Sequence, residues 1–581
     1  MTRTRLAALL LASALALAAC SGGSTATISK SSDTRPTAGA ADAGGGDLEW
    51  TKCTGKLTAQ AGLQCASLDV PVDPAEPDGE TISIALARKP STGTDAERIG
   101  SLVMNPGGPG GSGLEFLAGT STVFPSSITD HFDLVSFDPR GVAESSPVRC
   151  LDDEQKDEQL ASDLTPDTPE EEARADEEER QFREGCEQRN PELARHMSTA
   201  DVAADLDLIR IALGDDELNY LGYSYGTAIG ATYAAMFPTT IRAMVLDGTV
   251  SPTPNPLDEA IVQATGFERT LANFVAACDA DDTCALAPDA AAEIASVRQS
   301  LEDDPITVST KSGERTLNRD LFDYGLATAL YDTSTWGPTA QAIKDVRDGG
   351  AETILALVDR QTGRQSDGSY DNSMDSRSMV SCSDEMVRPT AEEAERDRAA
   401  VIAAAPTFGD FFSTGLDSCT DWPEPANPTP APSAVGAPPI LVIGTVGDPA
   451  TPYEWAQEMT EALAGSVLLT YEGDGHTAFL RAGQCIEDAV VDYLVDLTLP
   501  PADTRCPVQS TSGGFGGVKD QLIEQLTDSG LPESMATCVV NGMIDRVGEA
   551  EFNDLVLKNE QAEITKLAQA TALECATSGG G

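Results

Sequence analysis

Five residues, Gly222-Tyr223-Ser224-Tyr225-Gly226, constrain the fold of this chain more than any others in it. They follow the apolar run Leu218-Asn219-Tyr220-Leu221 and lead into a small-residue helical pattern from Thr227 to Ala235. Strand, sharp turn and helix in that order are the setting of a nucleophile elbow, where a serine sits at the tip of a strained turn. Gly222 and Gly226 remove the side chains that would otherwise hold strand and helix apart. The unpaired amides of the first helical turn then face the point where negative charge gathers during attack on a carbonyl. Ser224 is the expected nucleophile, and the Tyr225 amide one expected oxyanion donor.

A serine needs a base, and the base needs an acid to orient it. The chain has three histidines: His131, His196 and His476. His131 precedes the run Phe132–Phe137, and His196 lies ahead of the helix that leads to the elbow strand. Both positions are far from the C-terminal edge of a parallel sheet, so both are read as structural or exposed. His476 stands in Gly473-Asp474-Gly475-His476-Thr477, just after the strand-like Val467-Leu468-Leu469, and falls at the catalytic edge. It is the expected base. In this fold order the acid comes between serine and histidine. Asp448, in Gly447-Asp448-Pro449 after the run Pro439–Ile443, is the expected acid; Asp247, after Met244-Val245-Leu246, is its rival. The second oxyanion donor is expected from Asn105-Pro106-Gly107-Gly108-Pro109-Gly110-Gly111-Ser112-Gly113, with Gly108 as the choice. The competing reading, a phosphate-binding loop, lacks the Gly-Lys-Ser/Thr ending and the Rossmann spacing.

From about residue 65, short apolar runs alternate with helical patterns, which predicts an α/β class with a mostly parallel sheet covered on both faces. Residues 48–252 form the first part of this core and 429–506 the second. Between them, 253–428 carries helical patterns such as Ala260–Ala277 and Leu321–Leu330 and ends in Pro/Ala/Thr-rich sequence, as expected of a helical cap over the sheet edge. Residues 507–581 open on a Gly/Ser-rich linker and read as a small helical C-terminal module.

The N-terminus carries Arg3 and Arg5, an apolar stretch from Leu6 to Ala19, and then Cys20. This is the pattern of an export signal over 1–19, too short to be read as a membrane span. Leu17-Ala18-Ala19-Cys20 resembles a bacterial lipobox, which implies lipid on Cys20, a membrane-tethered mature chain and a flexible tether over 20–47. Setting Cys20 aside, 12 of the 13 cysteines remain, an even set that suits disulfides in an oxidising compartment. Nearest-neighbour pairing suits their spacing, Cys278 with Cys284 most directly. No metal is expected, since there is no Cys-x-x-Cys or histidine cluster, and the acidic runs read as surface helix decoration. No cofactor motif is present. A formal charge of −56 argues against a nucleic-acid partner.

Taken together, Asn105–Gly113, Asp138-Pro139-Arg140-Gly141, Gly222–Gly226, Asp247-Gly248, Gly447-Asp448-Pro449 and Gly475-His476 resemble the exported tripeptidyl aminopeptidases of actinobacteria. These lie within the proline-iminopeptidase-like serine peptidases. The resemblance runs from about 50 to 506 and includes Cys382-Ser383-Asp384 and Cys419-Thr420-Asp421-Trp422-Pro423 in the cap. It implies an α/β-hydrolase core, a Ser–Asp–His triad and peptide substrates cut from a free N-terminus. Pro106-Gly107-Gly108-Pro109 resembles the tripeptidyl branch, whereas Val142-Ala143-Glu144-Ser145 departs from the Gly-x-Ser that relatives commonly carry. An exopeptidase also needs a carboxylate for the substrate ammonium, for which Asp384 or Glu385 is the candidate. An esterase or lipase with the same triad is the alternative.

Overall fold

The computed structural model describes residues 48–162, 168–310 and 312–508, with helical parts of the tail between 519 and 578. The export signal, Cys20 and the tether lie outside the described residues. A ten-stranded sheet runs through the core. Its strands are β1 (Thr51–Lys52), β2 (Gln64–Pro71), β3 (Thr81–Lys89), β4 (Gly100–Asn105), β5 (Phe132–Phe137), β6 (Leu218–Tyr223), β7 (Ile241–Asp247), β10 (Leu441–Gly447), β11 (Val467–Asp474) and β12 (Thr504–Cys506). The spatial order is β1-β2-β3-β5-β4-β6-β7-β10-β11-β12. Pairing is antiparallel from β1 through β3 to β5 and parallel from there onward.

The central strands β4, β5 and β6 are buried at every residue, as a parallel sheet covered on both faces requires. Strand alternation sorts their side chains into two layers. Val103, Val135 and Tyr220 enter one core, while Leu102, Met104, Leu134 and Leu221 enter the other. After β5 the chain recrosses β4 to make β6, so the loops leaving β4 and β6 diverge. That is the topological switch point at which open α/β sheets form their crevice. The glycine loop after β4 and the serine turn after β6 both lie there.

Between β7 and β10 the chain leaves the sheet to build a second layer with its own apolar core, which includes Phe267, Phe274, Phe322, Ile343 and Leu357. Helices Pro256–Asp279, Arg319–Leu330 and Ser373–Asp384 are its parts nearest the catalytic edge. It also contains a hairpin, β8 (Ile306–Thr310) with β9 (Gly313–Leu317), that the helical reading of this stretch did not include. The β8 side chains alternate between half-buried and exposed, so this short strand carries too little apolar signal to be distinguished from a loop. The layer is fastened to the core through Asn372. Its Nδ2 donates to the carbonyls of Gly141 at 2.7 Å and Val148 at 2.9 Å, and its Oδ1 accepts from the Ala143 amide.

The architecture is the α/β-hydrolase fold, a mixed and mostly parallel sheet flanked by helices, with extra helices at the C-terminus. Arg140 of the Asp-Pro-Arg-Gly segment stands fully buried, forks onto Asp205 and donates to the carbonyls of Pro71, Val72 and His196. Losing either partner would strand a buried charge, at a cost of about 3–5 kcal/mol. The twelve cysteines pair with their nearest neighbours as Cys53–Cys65, Cys150–Cys186, Cys278–Cys284, Cys382–Cys419, Cys485–Cys506 and Cys538–Cys575. Six disulfides are consistent with an extracytoplasmic protein.

Candidate active site

Ser224 directly follows β6 and caps helix Tyr225–Met236 with φ 54° and ψ −127°. A non-glycine residue in such a conformation stores about 1–3 kcal/mol and persists only where its surroundings hold it. Here the Ser224 amide donates to the Asp247 carbonyl at 3.0 Å. A Cβ on Gly222 would stand 2.4 Å from the Gly226 carbonyl oxygen, and one on Gly226 would stand 2.6 Å from that of Asn105. Both glycines are therefore a condition of the turn.

The loop after β4 lies directly against this turn. A Cβ on Gly107 would meet the Ser224 Cβ at 2.8 Å and the Tyr225 amide nitrogen at 2.9 Å. The Gly107 amide is occupied by Asn105 Oδ1 at 2.9 Å. The Gly108 amide has no acceptor among the described residues, and a first-turn amide such as that of Tyr225 has none within its helix.

His476 and Asp448 meet: Nδ1 of the imidazole lies 3.0 Å from each carboxylate oxygen. Asp448 is fully buried and is held in place by donors. Its Oδ1 accepts from the Ala450 and Thr451 amides, and its Oδ2 accepts from the Thr477 amide and the Thr451 hydroxyl. Asp247 is not in this pair. Its carboxylate accepts from the amides of Ala478 and Phe479 and so braces the loop that carries the histidine. His131 bonds the Ser127 carbonyl, away from this edge. His196 is half-buried, and its carbonyl accepts from Arg140.

The second layer contributes residues that the sequence did not reveal. Helix Pro256–Asp279 rests on the acid turn, with Gln263 Nε2 donating to the Ala450 carbonyl at 2.6 Å and Thr270 Oγ1 to that of Gly447 at 3.2 Å. Tyr331 packs edge-on to the imidazole with ring centroids 5.3 Å apart, and its carbonyl accepts the His476 amide. Nothing in local sequence links Tyr331 to a histidine so far along the chain. Thr451 was more accessible to a sequence reading, being in the turn that Asp448 begins.

The two carboxylates considered for a substrate ammonium are placed differently. Asp384 accepts from the Thr199 amide at 2.8 Å and from the hydroxyls of Thr199 and Thr429. Thr199 in turn bonds the Tyr225 hydroxyl at 2.6 Å, so Asp384 serves the packing beneath the elbow helix. Glu385 is half-buried, and its Oε1 has no hydrogen-bond partner. Among the described residues no group of three or more His, Cys, Asp or Glu side chains is placed to hold a metal. No described helix is long and apolar enough to cross a membrane.

A family described as TAP-like protein matches residues 405–506, the stretch that contains Asp448 and His476. The serine protease Hip1 of Mycobacterium tuberculosis is 38% identical over 481 residues, covering 80% of this chain and 91% of that protein. This chain belongs to the actinobacterial α/β-hydrolase serine-peptidase family. The hydrolase is also 34% identical over 469 residues to carboxylesterase B of M. tuberculosis, across 79% of this chain and 89% of that one. Tripeptidyl aminopeptidase of Streptomyces lividans is 32% identical over 487 residues, across 81% and 89%. The hydrolase is thus a serine-hydrolase-type enzyme acting on ester or peptide bonds.

Burial holds several carboxyl groups of the hydrolase above their ordinary range. Burial, followed by the charges of Asp138, Asp371 and Glu144, pushes Glu115 up to about 8. Burial likewise raises Asp138 and Asp247 to about 6, and Glu259 and Glu385 to about 7. In the unfolded chain such groups titrate near 4. Between about pH 4 and 8 the native hydrolase therefore binds more protons than the unfolded chain, and stability falls as pH rises through that window. The melting temperature is expected to climb as pH is lowered from 8 to 5. A melting temperature highest at pH 8 would contradict this.

Proposed function

We propose that the hydrolase is a serine exopeptidase that releases short peptides, tripeptides foremost, from the free N-terminus of peptide substrates. The observation that carries this reading is the His476 imidazole seated on both oxygens of the buried Asp448 carboxylate, at the same sheet edge as the strained Ser224 turn. In this reading His476 takes the Ser224 proton as Oγ attacks the scissile carbonyl. The amides of Gly108 and Tyr225 hold the oxyanion, and His476 then protonates the departing amine. Water, activated by the same imidazole, releases the acylated fragment. Asp448 keeps the proton on Nδ1 and stabilises the imidazolium.

The name of the S. lividans relative supports an exopeptidase. Glu385 is the carboxylate proposed for the substrate ammonium, since Asp384 is already saturated by its own hydrogen bonds. Glu259 lies one turn before Gln263, and its charge bears on Glu385. The reading also places the mature enzyme on the outer membrane face through lipid at Cys20. The name carboxylesterase B of another relative favours a second reading, an extracytoplasmic esterase using the same triad.

Hydrolysis of chromogenic tripeptide amides with free and acetylated N-termini separates the two, with short acyl esters alongside and Ser224→Ala as blank. Cleavage of the free tripeptide and its loss on acetylation are expected. Ester turnover with neither peptide cut would eliminate the exopeptidase and leave the esterase.

A further inference from the structure

One cation beside the proposed catalytic residues is left without a partner among the described residues. Arg377 lies in the first turns of helix Ser373–Asp384, which rests on the glycine loop. A Cβ on Gly110 would stand 2.5 Å from the Ser373 carbonyl oxygen and 3.2 Å from the Arg377 amide nitrogen. The Gly111 amide ties that loop back to the Gly107 carbonyl, and Gly107 abuts Ser224. The Arg377 side chain turns inward. Its Nε is enclosed and has no hydrogen-bond partner, and its charge reaches the phenol of Tyr331, the ring packed on His476. Arg377 thus stands on a helix seated against the glycine loop, and its charge bears on the Tyr331–His476 wall.

Three other inward arginines are neutralised by carboxylates: Arg140 by Asp205, Arg298 by Asp323 and Arg364 by Asp157. Arg377 forms no ion pair or hydrogen bond among the described residues, although the chain carries 94 acidic residues against 38 basic ones. An enclosed donor left unmade is unfavourable, so a partner that arrives with the substrate would recover what folding leaves open. The guanidinium presents a planar fork that matches a carboxylate with two parallel hydrogen bonds.

We infer that Arg377 is a specificity-determining residue that pairs with a carboxylate of the substrate near the scissile bond. The inference rests on Ser224 being the nucleophile, and it holds for peptide and ester substrates alike. The carboxylate comes either from an acidic side chain flanking the cut or from the C-terminus of a short peptide. Hydrogen bonds to charged groups contribute about 1.5–3 kcal/mol, which is roughly a 10–150-fold preference in kcat/KM.

The test compares kcat/KM ratios within matched substrate sets for wild type, Arg377→Gln, Arg377→Lys and Arg377→Glu. One set is free-N-terminal peptides with Glu, Gln or Lys on either side of the cut. A second is a tetrapeptide as free acid and as amide. A third is the nitrophenyl monoester of glutaric acid against nitrophenyl pentanoate. Ratios cancel any loss of folded enzyme. Wild type is expected to favour the carboxylate-bearing member in at least one set, by roughly tenfold or more. The ratio should approach one in Arg377→Gln, be partly kept in Arg377→Lys, and turn toward the Lys peptide in Arg377→Glu. Preference confined to the free acid identifies a terminal carboxylate, and preference confined to the Glu peptides an acidic side chain. If only esters are cut and the glutarate preference depends on Arg377, the exopeptidase reading fails while this one stands. Wild-type ratios near one in every set, ratios unmoved by Arg377→Gln, or no turnover of any set would overturn it.

Discussion

Asp448→Asn is expected to lower kcat by about 10⁴-fold while leaving the protein folded. The carboxylate accepts from five donors: His476 Nδ1, three backbone amides and the Thr451 hydroxyl. An asparagine amide has one accepting oxygen and an NH₂ that can only donate. Whichever way it is turned, the NH₂ faces either the Ala450 and Thr451 amides or the Thr477 amide. If the oxygen satisfies the turn, the NH₂ faces the imidazole and favours the tautomer with its proton on Nε2, which cannot take the Ser224 proton. Steady-state kinetics on any turned-over substrate, paired with a thermal melt, would measure this. A loss under tenfold with an unchanged melt would take the acid role away from Asp448. Asp247 is the contrasting case, because its oxygens hold the Ala478 and Phe479 amides rather than the imidazole. Its replacement by asparagine should show first in the melt.

The contrast between these two aspartates shows what sequence could and could not convey. Both follow an apolar strand and both precede a tight turn, so their local signals are nearly the same. Chain order favoured Asp448, and the pairing with His476 agrees because both residues leave neighbouring parallel strands, β10 and β11, at the same edge. Ser224 was legible for a similar reason, since the glycines that permit the turn flank it directly. The cap residues were not legible. Tyr331, Gln263 and Arg377 reach the catalytic edge only through the packing of a long insertion, and no periodicity records which of its faces looks down. Asp384 shows the same limit from the other side. Sequence offered it with Glu385 as a cap carboxylate for the substrate ammonium, and could not convey that Thr199 and Thr429, from distant segments, donate to it.

Gly107→Ala is expected to reduce kcat/KM by about 10²–10³-fold, the range associated with losing an oxyanion donor. Gly107 has φ +92°, and the added methyl would stand 2.5 Å from the Tyr223 carbonyl oxygen, 2.8 Å from the Ser224 Cβ and 2.9 Å from the Tyr225 nitrogen. None of these is the far end of a flexible side chain, so either the glycine loop or the elbow must move. Movement of the loop withdraws the Gly108 amide, and movement of the elbow shifts Ser224, the proposed nucleophile, and the Tyr225 amide together. A displacement of about 1 Å in such a site costs about 10²-fold in rate. Backbone strain alone would give a different result, and Gly436→Ala separates the two. Gly436 has φ +96°, but a Cβ there meets nothing closer than Pro238 at 3.9 Å, well clear of Ser224. Its alanine variant should lower the melting temperature through the strained φ and leave turnover intact. Covalent labelling of Ser224 by a fluorophosphonate should slow in Gly107→Ala in step with turnover, because in the proposed mechanism both reactions place negative charge on an oxygen held by the same two amides. Wild-type turnover in Gly107→Ala, or equal losses in the two glycine variants, would mean that the loop after β4 does not form the oxyanion site.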